Sequence, residues 1–284
     1  MATTAAIAAV TEIKPQRYPD LDSYGLYIKV ISEFLREWDV RPSDIDGLLA
    51  CPAGMATGGA ADIFTHEQLY EELGIQPVFS ETLNAGGSTY GLMVQRATLA
   101  IRSGLAEGVL CVGAGKFPKV GGGGAEAMAR MISHEGFEFP YGTFIPAMYA
   151  QVASRHMFVH GTTPEHFAEV AVSSRQWALK NPNAITFGGA PLTVEAVRKS
   201  RPIATPFHLF DCSIPVEGGA AVFVASERLA KRINPRPAYI LGMGEHHNHR
   251  NIHQARDLLD IGAGKAGPAP AHARIRSSRL EAAS

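Results

Sequence analysis

Apolar positions recur along this chain with two different periods, and the two patterns alternate for most of its length. Windows with apolar residues three to four positions apart predict amphipathic helices. Short continuous apolar runs bounded by glycine or polar residues predict buried strands. The predicted helices cover residues 21–38, 64–73, 88–103, 144–159, 163–180 and 226–232, and the predicted strands cover residues 47–51, 78–83, 108–112, 220–225 and 238–242. This alternation is typical of an α/β protein.

Composition narrows the classes of function. The chain has 284 residues, of which 46% are hydrophobic and 19% charged, and its formal net charge is -1. This near-neutral balance favours neither nucleic acid nor an anionic membrane as a partner. We predict no membrane span and no signal peptide, because no apolar run approaches about 20 residues. Cys51, Cys111 and Cys212 are widely spaced in apolar sequence, which predicts reduced thiols in a cytoplasmic protein.

The most informative local sequence is a strand, a glycine turn and a helix between residues 78 and 91. The joint contains Asn84, Gly86, Gly87, Ser88 and Thr89. A helix N-terminus at such a joint offers free N–H groups and a positive dipole end to negative charge. Ser88 has two open interpretations, a catalytic nucleophile or an N-cap in a purely structural turn. In either case the backbone N–H groups of the turn are available to an oxyanion.

Two other motifs fit known ligand sites poorly. Residues 113–116 (Gly-Ala-Gly-Lys) follow an apolar strand but match neither phosphate-loop nor dinucleotide-loop spacing, so we predict a structural turn. His249 and His253 are four residues apart, as in a helical zinc pair, within a histidine-rich segment that includes His246. No cysteine or second carboxylate is spaced to complete a tetrahedral site, so we predict no metal.

Five segments, in order, resemble the N-terminal half of a thiolase, and more closely the lipid-transfer, or sterol-carrier, branch of that superfamily. They are Val40-Arg-Pro-Ser-Asp-Ile-Asp-Gly-Leu48, Asn84-Ala-Gly-Gly-Ser-Thr89, Gly161-Thr-Thr-Pro-Glu165 with the residues up to Ala184, Ser200-Arg-Pro-Ile-Ala-Thr-Pro206 with the residues up to Cys212, and Glu217-Gly-Gly-Ala-Ala221. The resemblance extends over residues 5–260. Each motif is weak alone, but five in the right order are specific.

The resemblance implies a thiolase-like α/β fold, in which a mixed five-stranded sheet layered with helices forms the first of two pseudo-repeated halves. The implied N-terminal domain covers residues 1–236, with a loop region at 116–146 over the substrate tunnel. Residues 237–261 would begin a truncated second half, and 262–284 have the composition of a disordered or non-native tail. Thiolases assemble as dimers or tetramers. Uncovered apolar positions on the central helix also favour a homo-oligomer, namely Leu92, Val94, Leu99 and Ile101.

The resemblance also implies a chemistry, from which this sequence departs at one position. Thiolases attack a CoA thioester with a cysteine in the pattern Asn-x-x-Cys-Ser-Thr, and that position is Gly87 here. The histidine and second cysteine of thiolases belong to the second half, and neither motif occurs in this sequence. We therefore predict a degenerate thiolase-like acyl-CoA acyltransferase that acts on carbon–carbon bonds next to a thioester. The alternatives are a non-catalytic acyl-CoA or lipid-binding subunit, a retro-aldolase-type partner of a small zinc OB-fold protein, and a truncated product without activity.

The ligand and its contacts follow from the same resemblance. The implied substrate is a coenzyme A thioester, with no covalently bound cofactor. The expected substrate-binding residues are Asn84, Gly86, Thr89, Tyr141, Met148 and His246. Lys119, Arg130 and Arg155 are candidates for the CoA phosphates.

Overall fold

A computed structural model describes residues 4–54, 61–116 and 124–260. These residues form two compact units, one of 4–116 (without 55–60) and 216–243, and one of 124–215 and 244–260. The predicted tail at 262–284, part of the predicted loop region and Lys119 lie outside the described residues. The predicted boundary at residue 236 comes from family resemblance, whereas the compact units follow spatial contacts, so that boundary stays a prediction.

The described residues form strands and helices in alternation, as the sequence predicts. The strands are β1 (Ala5–Glu12), β2 (Gly47–Ala50), β3 (Phe79–Thr82), β4 (Gly108–Gly115), β5 (Pro202–Ala204), β6 (Phe207–His208), β7 (Gly218–Ser226) and β8 (Ala238–Tyr239). The helices are α1 (Ser23–Glu37), α2 (Thr65–Leu73), α3 (Thr89–Arg102), α4 (Gly124–Ile132), α5 (Ile145–His160), α6 (Pro164–Ala178), α7 (Val194–Lys199) and α8 (Glu227–Ile233).

A mixed six-stranded sheet is the centre of the first unit, with the order β3-β2-β4-β7-β1-β8. β2 is parallel to β3 and β4, while β7 is antiparallel to β4 and β1, and β8 is antiparallel to β1. Parallel strands need helical crossovers, which α2 and α3 supply between β2, β3 and β4. The carboxyl ends of β2, β3 and β4 therefore meet at one edge of the sheet.

Each face of the sheet carries its own core, because side chains alternate across a strand with period two. One face packs against α1 and the other against α3. The first core is centred on Tyr27, Phe34, Leu48, Leu110 and Phe223, and the second on Leu49, Met93, Ile101, Val109 and Val224. The sheet thus lies between helices, which confirms the α/β class.

Capping residues set the ends of several helices. Asp22 Oδ1 accepts a hydrogen bond of 2.7 Å from the Gly25 N–H at the start of α1. Ser226 Oγ accepts from the Leu229 N–H in the same way at the start of α8. Gly74 ends α2 with a left-handed φ of 63°, a conformation that glycine adopts without strain.

The second unit is mainly helical. α6 begins as predicted, with Thr163 as N-cap and Pro164 in the first turn, and the Thr163 N–H donates to His166 Nδ1 at 2.9 Å. β5 and β6 form a short antiparallel pair. The buried core of this unit includes Ala168, Val172, Leu192 and Val197.

Several expectations are corrected. The sheet has six strands rather than five, because β1 was not recognised from its alanine-rich sequence. Gly113, Ala114 and Gly115 continue β4 instead of forming a turn, because they pair in register with β7. The predicted loop region contains a helix, α4, that starts at Gly124, the last glycine of a run of four.

The apolar face of α3 is also less open than expected. Ile101 is fully buried in the sheet core, and Leu92 and Val94 are half-buried, whereas Leu99 is 48% exposed. The prediction that Ile101 lies on an uncovered surface is therefore wrong. The homo-oligomer stays a prediction.

Candidate functional site

The turn between β3 and α3 is held by its own side chains. Asn84 Oδ1 accepts a hydrogen bond from the Gly86 N–H at 2.9 Å, and Gly86 has a left-handed φ of 58°. Thr89 Oγ1 accepts from the Ala85 N–H at 2.9 Å and donates to the Gly86 carbonyl oxygen at 2.6 Å. These bonds fix the backbone of Gly87 just before the first turn of α3.

Ser88 stands at the N-cap position of α3 but does not cap it. Its hydroxyl donates to the Ala85 carbonyl oxygen at 2.7 Å and accepts no bond from the first-turn N–H groups. The expectation of a side-chain cap is thus wrong, since the hydroxyl is turned back into the loop. Within the described residues no basic side chain is hydrogen-bonded to this hydroxyl, so the nucleophile interpretation gains no support from the geometry.

Gly87 has free space where a side chain would project. A Cβ added there would meet no heavy atom within 4 Å, and its φ lies outside the left-handed region. Packing and backbone geometry therefore do not require glycine at this position. Gly87 also lines a cavity, which is described next.

Asn84, Gly86, Gly87 and Thr89 line a cavity of about 300 Å³. Its other walls come from the ends of β2 and β4 and from the start of α3: Cys51, Pro52, Gly54, Tyr90, Ala114, Gly115 and Lys116. Ser88 is not among the described residues that line it. Three of the six expected substrate-binding residues thus meet at one cavity beside a helix N-terminus.

Cys51, Tyr90 and Gly113 form a tight contact at the back of this cavity. Tyr90 Oη donates to the Gly113 carbonyl oxygen at 2.7 Å and lies 2.9 Å from the Ala220 carbonyl oxygen. A Cβ on Gly113 would lie 2.6 Å from Tyr90 Oη and 2.9 Å from Cys51 Sγ. Glycine is required at residue 113 because the tyrosine and the cysteine occupy that space.

The cluster of Cys51, Tyr90 and Gly113 was not predicted to be part of the site. Cys51 follows β2 directly, and Gly113 lies near the end of the neighbouring parallel strand β4. The carboxyl ends of neighbouring parallel strands lie side by side in a sheet. The positions of Cys51 and Gly113 at two such strand ends could therefore have predicted that they lie close together.

The cysteines near the cavity are poor nucleophiles. Burial raises the pKa of the Cys51 thiol to about 11, and burial also raises the pKa of Cys111. The pKa of the Tyr90 hydroxyl is raised by burial and by the proximity of Cys51. These groups therefore stay protonated at neutral pH, and Cys51 and Tyr90 form polar parts of the cavity wall.

Lys116, at the rim of the cavity, is held by the N-terminal segment. Its Nζ donates to the carbonyl oxygens of Tyr18 (2.5 Å) and Leu21, and lies 3.6 Å from Glu217 Oε2. Burial opposes ionisation of Glu217, but hydrogen bonds from the Tyr18 N–H and from Arg17, with the charge of Lys116, hold the pKa of that carboxyl below its usual value. Arg17 and Lys116 therefore share the Glu217 carboxylate.

The other expected binding residues belong to the second unit. Tyr141 is 84% exposed on a 3-10 turn, Met148 lies half-buried on α5, and His246 is exposed in a segment without regular structure. Arg130, a candidate for a CoA phosphate, pairs with Glu126 at 3.2 Å and stacks on Phe139. The roles expected of these residues stay predictions.

The histidine-rich segment contributes to a buried carboxylate cluster. Glu138 accepts hydrogen bonds from the His253 N–H (3.0 Å), the His134 N–H (2.8 Å) and the Asn251 side chain (3.3 Å), and its Oε1 lies 2.9 Å from His253 Nδ1. In the described ranges no group of three or more His, Cys, Asp or Glu side chains is arranged to hold a metal ion. The zinc alternative for His249 and His253 therefore finds no ligand set.

We expect Glu138 to make the free energy of unfolding depend on pH in the acid range. Burial disfavours its ionisation, but the hydrogen bonds from His253, His134 and Asn251 lower its pKa to about 2. A carboxyl whose pKa is lowered by folding stabilises the fold above its unfolded pKa, and that contribution disappears as the pH falls from about 5 to about 2. Glu138→Gln should cost about 2 kcal/mol at pH 7 and show less acid destabilisation over this range.

Urea unfolding at a series of pH values measures this effect. Glu135→Gln is the matched control, because Glu135 is the exposed neighbour on the same loop. Equal pH dependence in wild type and Glu138→Gln would contradict the assignment.

This chain is similar in sequence to several known proteins. No protein-family profile matches the chain. A steroid side-chain-cleaving aldolase of Thermomonospora curvata is 30% identical over 253 residues, which are 85% of this chain and 61% of that protein. An acetyl-CoA acetyltransferase of Methanothermobacter thermautotrophicus is 31% identical over 68% of this chain and 49% of its own. A 17-hydroxy-3-oxo-4-pregnene-20-carboxyl-CoA lyase of Mycobacterium tuberculosis is 29% identical over 76% and 55%.

Solved structures of related proteins have the same fold as this chain. The Ltp2-ChsH2(DUF35) aldolase superposes with a TM-score of 0.74 at 27% identity, over 92% of this chain and 66% of that one. A monomeric SCP2-thiolase-like protein from Mycobacterium smegmatis superposes with a TM-score of 0.66 at 16% identity, over 92% and 56%, which shows the shared fold. The chain belongs to the thiolase superfamily. Its relatives include SCP2-type proteins, as the sequence motifs predicted.

The chain matches only part of each curated relative. The chain spans about half to three fifths of the length of the curated relatives named here. None of the helices in its described ranges combines the length and the apolar character that crossing a bilayer requires. The activities in those relatives' names belong to the whole proteins.

Proposed function

We propose that this thiolase-superfamily chain binds an acyl-CoA thioester in the 300 Å³ cavity and serves carbon–carbon bond cleavage of the retro-aldol type. The observation that carries the proposal is Gly87, which opens onto the cavity at the position where the motif of thiolases has its cysteine. Thiolytic cleavage needs a thiolate at that position to form an acyl-enzyme. Among the described residues that line the cavity, Cys51 is the one cysteine, and its raised pKa of about 11 keeps it protonated.

Retro-aldol cleavage needs no acyl-enzyme. A base removes the proton of a β-hydroxyl group, the bond between the α and β carbons breaks, and the electron pair moves into the thioester as an enolate. A proton then returns to the α carbon, so that a ketone or aldehyde and a shorter acyl thioester leave. The positive end of the α3 dipole at Gly87 is suited to stabilise the thioester oxygen on which the enolate charge develops, whereas the N–H groups of Gly86 and Ser88 already donate within the turn. The names of two relatives, an aldolase and a lyase, support this reaction class.

The test offers the purified protein two kinds of CoA thioester. We expect a β-hydroxyacyl-CoA and a β-ketoacyl-CoA both to bind, as measured by calorimetry, with no acyl adduct on the protein in intact-mass spectra. Release of a ketone or aldehyde from the β-hydroxyacyl-CoA supports the retro-aldol assignment. An acyl adduct on Cys51, or CoA-dependent thiolysis, would overturn it.

A second candidate is a non-catalytic acyl-CoA-binding subunit that acts with another protein. Gly87 also favours this candidate, because a binding role needs no nucleophile. The name of one related structure, the Ltp2-ChsH2(DUF35) aldolase, gives two components. A small zinc OB-fold protein is the partner we propose for either role. Binding without turnover in the test above, with turnover only after the second protein is added, distinguishes this candidate.

The proposal assigns Asn84, Gly86 and Thr89 to the thioester end of the ligand. Asn84 and Thr89 shape the turn through their hydrogen bonds, and Gly86 gives it the left-handed φ. Tyr141, Met148 and His246 remain proposed contacts of the acyl chain. The free cysteines Cys51, Cys111 and Cys212 agree with a reducing compartment, and we propose the cytoplasm.

We expect the protein to form a homo-oligomer through β3. β3 is the outermost strand of the sheet, so one side of its backbone is available to a strand of a second copy. Val78, directly before β3, is 64% exposed. Val78→Lys should raise the dissociation constant at least tenfold by placing like charges against each other, as measured by light scattering over a dilution series.

Val10→Lys is the matched control, because Val10 is 48% exposed on β1, near the other edge of the sheet. A wild-type monomer at all concentrations, or equal weakening by both variants, would contradict this interface.

A further inference from the structure

Two histidines meet on the exposed surface of α5, near the C-terminal end of that helix. His156 and His160 are four residues apart, so they lie on the same face of the helix, about one turn from each other. Both residues are exposed, and their ring centroids are 4.6 Å apart with an angle of 50° between the ring planes. Neither histidine is among the described residues that line the 300 Å³ cavity.

The spacing of the two rings matches that of two imidazoles bound to one metal ion. A Zn–N bond of about 2.05 Å places the metal about 3.2 Å from the centroid of each ring. With an angle of about 90° to 110° at the metal, the two centroids are then about 4.5 to 5.2 Å apart. The observed 4.6 Å lies within this interval. The helix therefore already holds the rings at the separation that chelation requires.

The hydrogen bonds around the pair leave nitrogen lone pairs available to a metal ion. His156 Nδ1 lies 2.8 Å from Thr162 Oγ1. When the Nδ1–H donates to this hydroxyl oxygen, the Nε2 lone pair is available, and such a hydrogen bond orients metal-binding imidazoles. In the part of the chain that the structure describes, no residue is hydrogen-bonded to the His160 ring.

Two other histidines of the same unit lack this property. His134 Nδ1 accepts from the N–H groups of Gly136 and Phe137 at 3.1 Å and 3.2 Å. His166 Nδ1 accepts from the Thr163 N–H at 2.9 Å. In both rings Nδ1 is occupied as an acceptor, so the proton resides on Nε2 and neither nitrogen offers a lone pair to a metal.

The end of α5 also favours a cation. The helix has 16 residues and ends at Gly161, which has a left-handed φ of 67°. The last turn of a helix carries partial negative charge on its carbonyl groups, which stabilises cations there. Arg155 precedes His156, but its guanidinium lies over the Phe158 ring at 5.7 Å, and consecutive residues do not share a face of a helix.

We propose that His156 and His160 chelate one divalent transition-metal ion, of the class Zn²⁺, Ni²⁺ or Cu²⁺, with water in the remaining positions. Imidazole suits these ions, whereas Mg²⁺ and Ca²⁺ prefer oxygen ligands. Among the described residues, no third His, Cys, Asp or Glu side chain joins the pair, so the site is an open two-ligand chelate. The bound ion links successive turns of α5 and so stabilises the end of this helix. This site is independent of the proposed function, because metal ions alone test it.

The experiment titrates protein without an affinity tag with metal salts. We expect calorimetry with ZnCl₂, and separately with NiCl₂, to show a site of one ion per chain, and MgCl₂ to show none there. His156→Gln and His160→Gln should each weaken zinc binding at least tenfold, because a single imidazole cannot chelate. Both side chains are exposed, so the melting temperature without metal should not change, while the rise caused by zinc should disappear.

His249→Gln is the matched control. His249 and His253 have the same spacing in sequence, but His249 lies outside regular structure and His253 lies on a 3-10 turn. We expect this variant to change zinc binding less than twofold.

The outcomes decide the site whatever the protein does with CoA thioesters. Zinc binding that both α5 variants lose and the control keeps supports the chelate. Zinc binding by either α5 variant equal to that of wild type overturns it, as does an equal loss in His249→Gln. Failure of wild type to bind both ZnCl₂ and NiCl₂ also overturns it.

Discussion

Gly108→Ala is expected to destabilise the six-stranded sheet by about 3 kcal/mol or more, a large fraction of the stability of a typical domain. A Cβ at this position would lie 2.2 Å from the backbone carbonyl oxygen of Asp44 and 2.6 Å from Phe223 Cζ. The backbone cannot move away easily, because the Gly108 N–H donates to Asp46 Oδ1 at 2.9 Å and the Gly108 carbonyl oxygen accepts from the Asp46 N–H at 3.0 Å. The overlap is therefore with fixed backbone and with the centre of the core.

Two further glycine variants are expected to destabilise the protein less. Gly115 lies on the same strand, β4, and a Cβ added there would meet no atom within 4 Å, so Gly115→Ala should leave the stability unchanged or slightly raised. Gly47→Ala should be intermediate, because its Cβ would meet the Val109 side chain, at 2.8 Å, rather than fixed backbone. Urea unfolding measures all three. A Gly108→Ala variant within about 0.5 kcal/mol of wild type would contradict the packing described here.

Strands with a strong local pattern were predictable, and strands set by long-range pairing were not. β4 and β7 read as continuous apolar runs because both faces of the sheet are covered by helices. β1 has the sequence Ala-Ala-Ile-Ala-Ala-Val-Thr-Glu, whose alanines favour helices in isolation. It is a strand because it pairs with β7 and β8, more than 200 residues further along the chain. Tertiary pairing here overrides local propensity.

The residues of the candidate site also divide into those predictable from local sequence and those that long-range pairing brings together. Asn84, Gly86, Gly87 and Thr89 were predictable because they lie in one short motif. Cys51, Tyr90 and Gly113 come from different elements. They meet because of the register between strands, which no single segment of the sequence specifies. Ser88 shows the limit of a local rule, since the carbonyl oxygen of Ala85 competes with the helix N–H groups for its hydroxyl.

Gly87→Cys is expected to convert the turn into an acyl acceptor. The added side chain has free space, a permitted φ and an opening into the 300 Å³ cavity. Its position just before α3 places it at the positive end of the helix dipole, which lowers the pKa of a thiol below about 8.5. The thiolate attacks the carbonyl carbon of a bound thioester and the CoA thiol leaves, so intact-mass spectra should show one acyl group on the variant and none on wild type.

Two controls decide whether the cavity, rather than the thiol alone, causes this acylation. Gly91→Cys places an exposed thiol on the same helix, with free space around its Cβ but outside the cavity, and should acylate at least tenfold more slowly. Gly87→Ala fills the space without a thiol and should give no adduct. Equal acylation of the two cysteine variants would show that the cavity does not bind the thioester. Acylation confined to Gly87→Cys would mean that the cavity keeps the thioester-binding geometry of its superfamily without the nucleophile, because glycine leaves the ligand in place and removes the atom that attacks it.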